Sequence, residues 1–125
     1  MVVLSHLAVT LVHGWAHAAA AVPTTPAAQV FIVVVILAGP LVGLLLTQSR
    51  PRAGGWLVAA TMGGALVFGL VNHFIISSPD HVNHVAEPWR LLFATTAGLL
   101  VITEAAGTVA GVWYATRRVE RLRPH

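Results

Sequence analysis

The sequence predicts an all-α membrane protein: a four-transmembrane-helix antiparallel bundle forming a single domain over 1–125. Three observations carry that prediction. Hydrophobic residues make up 57% of the chain and charged residues 9%, whereas soluble domains carry about 25% charged residues. Four apolar stretches, about 3–22, 29–47, 55–76 and 89–115, each approach the ~20 residues that cross a ~30 Å hydrocarbon core. The segments between them combine proline with polar residues, which punctuate helices. In lipid the backbone must satisfy its own hydrogen bonds, so spans of this kind are helices. Short connections then set neighbours antiparallel, in up-down-up-down order.

The first span holds His6, His13 and His17. At about 100° per residue these three fall within roughly 40° of one another, on one face. His13 and His17 alone form the i,i+4 pair that can grip one metal ion from successive turns. Ala16-His17-Ala18 resembles a signal-peptide cleavage site, but no positive charge precedes it and histidines interrupt the apolar run, so the segment is expected to remain as a span.

The second span, from Gln29 to Thr47, has no ionisable residue, and its Gly39-Pro40 pair predicts a kink. It is expected to be a lipid-facing support helix. The third ends in Asn72-His73, with Gly69 on the His73 face leaving room for close packing or a flat ligand.

The connection from Ser77 to Pro88 is the longest of the three. Its Ser78-Pro79-Asp80 pattern matches an N-cap, an N1 proline and a first-turn acid. A short interfacial helix near 79–86 is therefore expected, with His81 and His84 on one face and Glu87 one turn further. The fourth span carries Glu104 about 15 residues, or ~22 Å, below Trp89. A carboxylate at that depth needs a proton or a partner. The chain has no lysine and its arginines sit near span ends, so the expected partner is histidine or a cation. Thr108 and Gly111 share the Glu104 face as a small-residue packing stripe.

Six of the seven arginines fall at the termini or in the 48–54 segment, which an even number of spans places on one side. By the positive-inside rule both termini and the arginine-rich C-terminal tail are cytoplasmic. Trp56, Trp89 and Trp113 fit interfacial belts, and Arg117 and Arg118 anchor the tail at the lipid surface. The bilayer is the expected partner, with a homo-oligomer or a larger membrane complex as further options. The basic tail lacks interleaved aromatics, so nucleic acid is not expected.

Absence of cysteine excludes disulfides, thiolate metal sites and iron–sulfur clusters. No P-loop, G-x-G-x-x-G, G-x-S-x-G or H-E-x-x-H motif is present, and whether the chain is an enzyme stays open. Counting depth along the spans stacks the histidines toward the extracytoplasmic end. The leading expectation is a transition-metal site, for zinc, copper, iron or nickel, formed by His17, His73, His81 and His84 with His13 beneath. Asp80, Glu104, His6, Asn72 and Glu87 would orient the ligands or carry protons or cations inward. Uptake, sensing or a membrane metal-centre activity would follow. One alternative is haem b for electron transfer, with His17 and His73 as axial ligands. Another is a metal-free histidine–glutamate proton relay in a transporter or quinone-linked complex.

Overall fold

The computed structural model describes residues 1–120, with side chains up to Arg117. It is all-helical among these residues, and four helices are long and apolar enough to cross a membrane. They are α1 (Val2–Ala19), α2 (Pro26–Ser49), α3 (Pro51–Ile75) and α4 (Arg90–Glu120). Of the tail anchors expected from sequence, Arg117 stacks over Trp113 at 4.7 Å. Arg118, Arg121 and Arg123 lie outside the described side chains.

Local chemistry sets the helix ends. Ala21 takes a left-handed conformation (φ 52°), and Val22 N–H reaches back to His17 O at 3.0 Å, closing α1 with a six-to-one bond. Thr25 caps α2 through Oγ1, which accepts from Ala28 N–H at 3.2 Å, and Pro26 supplies the first helical residue. Arg50 is pushed out of helical geometry ahead of Pro51, so α2 stops and α3 starts within one residue.

Two helices contain wide π turns. The one at Ile32–Ala38 in α2 ends at Gly39-Pro40, where the sequence predicts a kink. Pro40 has no N–H to give the preceding turn, and in that turn the Ile36 carbonyl accepts from the His6 ring of α1. The second, Val71–Ile75, finishes α3 and carries His73.

Small residues draw the helices together. The backbone of Gly54 in α3 lies against Gly43 and Thr47 of α2, and Gly111 of α4 against Gly55 and Ala59 of α3. The small-residue stripe below Glu104 is thus a close-packed interface. Val3, Val58 and Met62 form one buried cluster, and Ala16, Val85 and Phe93 another.

The expected helix near 79–86 does not form; the connection is a run of turns. Its polar groups bond outward instead of along a helix. Val82 N–H donates to His73 O (3.0 Å), the His73 ring bonds Asp80 O, and the His84 ring bonds Ser78 O. Val85 is thereby buried against Ala16 and Phe93, and the connection folds over one end of the bundle.

Candidate metal centre

Beneath that connection, His13 and His17 from α1 meet His73 from the last turn of α3. One ligand atom from each of the three lies within 4.8 Å of the others. The i,i+4 spacing stacks the two α1 rings edge to face at 4.9 Å. The His13 ring is also 4.9 Å from the His73 ring. Phe93, fully buried on α4, packs against all three, with its ring 4.7, 4.8 and 5.3 Å from those of His13, His17 and His73.

Hydrogen bonds fix the His73 tautomer and engage His13 Nδ1. The Thr96 hydroxyl can donate to Leu92 O (2.8 Å) or Phe93 O (3.1 Å). The same oxygen pairs with His13 Nδ1 at 2.8 Å, accepting its proton when that ring is protonated at Nδ1. His73 Nδ1–H donates to the Asp80 carbonyl at 3.0 Å. The two Nε2 atoms face each other at 3.2 Å, both bare when His13 is protonated at Nδ1 and sharing one proton when it is protonated at Nε2. Two lone pairs at that distance repel unless a cation or proton lies between them. Two nitrogens on a tetrahedral ion with bonds of about 2.0–2.1 Å stand roughly 3.3–3.4 Å apart.

The Asp80 carboxylate closes the group. Its Oδ1 lies 3.2 Å from His17 Nε2 and 3.3 Å from His73 Nδ1. Neither contact is aligned as a hydrogen bond, so Oδ1 and the buried His17 Nδ1 are both left without a hydrogen-bond partner. Burial pushes the Asp80 carboxyl up, but the adjoining His73 ring, with His17 and His13, outweighs it and holds the group below the usual carboxylate range.

A cavity of about 750 Å³ adjoins the cluster. Its walls run from Ser78, Pro79 and Asp80, past His17, His13 and His73, to Leu100 and Glu104. Ala28, Ile32 and Ile36 of α2 supply much of the apolar side. Glu104 is 2% exposed and has an unpartnered Oε2. Its Oε1 lies 3.9 Å from His6 Nδ1, too far for a hydrogen bond. His6 Nε2–H donates to Ile36 O at 3.1 Å, in the π turn just before Pro40.

The remaining expected site residues are placed elsewhere. His81 and His84 are not brought into the cluster: their rings lie 5.3 Å from each other. His81 Nδ1 accepts from Asn83 N–H, and His84 Nδ1–H donates to Ser78 O. Glu87 is exposed and pairs with Arg90 at 3.5 Å. Asn72 lines the cavity but donates to Phe68 O in its own helix. Sequence reasoning missed Thr96, Phe93 and the Ile36 carbonyl. Only Thr96 left a trace there, as a hydroxyl inside an apolar span.

No protein-family model matches the chain, and no curated protein or solved structure matches it either.

Proposed function

We propose that this chain is a membrane-embedded transition-metal protein whose ion is held by His13, His17 and His73. The observation that carries the reading is that one ligand atom from each of the three lies within 4.8 Å of the others, with His13 and His73 Nε2 3.2 Å apart and both Nδ1 atoms bonded to oxygen. Metal-bound histidines almost always donate their other N–H to an oxygen, as these two are placed to do. Three neutral imidazoles suit zinc, copper, iron or nickel. A fourth position open to the cavity is the pattern of a centre that exchanges its ion or acts on a small molecule, rather than a closed structural site.

The geometry favours an ion over haem. A macrocycle between His17 and His73 would need the space taken by the His13 ring and Phe93. Arginine asymmetry orients the up-down-up-down bundle with the centre on the extracytoplasmic side.

The test is elemental mass spectrometry on untagged protein purified in detergent, beside a His13→Ala/His73→Ala variant. Stoichiometric zinc, copper, iron or nickel on the wild type, absent from the variant, is the expected result. Equal metal on both, or none on either after reloading, overturns the reading.

A further inference from the structure

Glu104 and His6 form a second pair of donor atoms that the three-histidine centre does not use. Both residues are buried, at 2% and 0% exposure. His6 gives its Nε2 proton to Ile36 O, so its neutral ring turns a bare Nδ1 toward Glu104. That nitrogen and Glu104 Oε2 are both buried without a hydrogen-bond partner. The 3.9 Å from Nδ1 to Oε1 is within the ~4 Å that two ligands with bonds of about 2.0–2.1 Å can span across one ion.

Glu104 sits where an ion from the histidine centre can arrive, and His6 Nδ1 lies 3.9 Å from its Oε1, outside the cavity lining. Glu104 and the three histidines line the same cavity. Gly69 stands between them: a Cβ there would lie 3.7 Å from Glu104 Oε2 and 3.9 Å from His73 Cδ2. With no side chain at Gly69, nothing from that residue fills the space beside both groups. Met62, fully buried with Val3 and Val58, packs against Gly107, about one turn along α4 from Glu104. A carboxylate stands at each end of the chamber, Asp80 beside two imidazoles at the mouth and Glu104 beside one at the floor.

We infer that Glu104 and His6 form an inner station for a divalent transition-metal ion, which receives its ion from the three-histidine centre through the gap at Gly69. The inference rests on the metal reading of that centre. One carboxylate and one imidazole make a weaker, harder donor set than three imidazoles, suited to transient occupancy. Desolvation strengthens the attraction between the carboxylate and the ion.

Cobalt(II) is the probe, because its bound stoichiometry and ligand-field absorption are read on one sample. Wild-type protein is expected to take two ions, and Glu104→Gln and His6→Ala one each, with the histidine-centre band unchanged. Gly69→Ala introduces only ordinary contacts, so it is expected to take two ions with a slower second phase. An apolar carbodiimide provides a readout on unmutated protein: the second equivalent of cobalt, not the first, should protect Glu104 from modification. One ion on the wild type, retained by Glu104→Gln and lost in His13→Ala/His73→Ala, overturns the inner station and leaves the outer centre standing. Carbodiimide modification of Glu104 that saturating cobalt leaves unchanged also overturns it. No cobalt on the wild type overturns both readings.

Discussion

His13 Nε2 and His73 Nε2 face each other at 3.2 Å, each ring anchored from behind through Nδ1. The two anchors differ in kind. His73 uses a backbone carbonyl, which no substitution at Asp80 removes, whereas His13 depends on the Thr96 hydroxyl. The close approach of the two nitrogens requires a proton or an ion between them, and an ion can take the proton's place. Metal binding and the local structure should therefore be coupled, with apo protein less heat-stable than loaded protein.

Thr96→Val should uncouple anchoring from ligation. Valine keeps nearly the same shape but cannot accept the His13 Nδ1 proton. Outer partners of metal-bound histidine are worth about 10–100-fold in affinity. The variant is expected to retain wild-type stoichiometry and weaken by that factor in a chelator competition titration. Unchanged affinity would show that Thr96 only packs.

Asp80→Asn addresses the charge at the mouth. The carboxyl is held below the usual carboxylate range, so at neutral pH the substitution removes a full negative charge. The backbone carbonyl still receives the His73 proton, and the loop should keep its course. Binding of a divalent ion is expected to weaken, most strongly at low ionic strength, where screening is least. A salt series on both proteins separates this effect from a change in folding.

How far these features were legible in the sequence depends on range. The spans and their punctuation follow from local pattern: Thr25-Pro26 and Arg50-Pro51 begin helices where the residue types demand it. The shared face of His6, His13 and His17 is likewise local, a property of helical period. The partners are not. The Ser78-Pro79-Asp80 pattern favours a helix by propensity, yet bonds from the His73 and His84 rings to the Asp80 and Ser78 carbonyls hold the segment in turns. The second span reads as chemically silent because its contribution is a backbone carbonyl, Ile36 O, which no side-chain pattern reports.

That carbonyl brings His6 to the turn before Pro40. Losing a hydrogen bond to a buried polar group costs about 1–3 kcal/mol, so His6→Ala should lower thermal stability in detergent by that order. Pro40→Ala restores an N–H at the place where α2 lacks one. If the imidazole makes up for the N–H that proline lacks, the double variant Pro40→Ala/His6→Ala should recover about 1 kcal/mol relative to the sum of the single changes. Strict additivity would mean that the two residues act independently.

The glycines separate close packing from open surface. A Cβ at Gly111 would meet Ala59 N at 2.6 Å and Gly55 O at 2.8 Å, both backbone atoms that cannot rotate away. Gly111→Ala should therefore push α3 and α4 apart and cost about 1–3 kcal/mol. At Gly98 nothing lies within 4 Å, and the same substitution in the same helix should be neutral or slightly stabilising. Thermal unfolding of the two variants side by side measures the difference.

His81 and His84 provide the sharpest contrast with the cluster beneath them. By sequence spacing alone they are as good a ligand pair as His13 and His17. In the fold their Nδ1 atoms are engaged within the connection, with Asn83 N–H and Ser78 O. His81→Ala/His84→Ala should bind the full complement of metal at the histidine centre, with ligand-field absorption identical to wild type. The connection itself should loosen, because the 2.6 Å bond from the His84 ring to Ser78 O helps hold the turns over Phe93. Faster metal exchange at unchanged stoichiometry is the expected signature, measured by stopped-flow transfer to a chelator. Loss of a whole equivalent of metal would instead make these rings ligands and require the connection to refold around the ion.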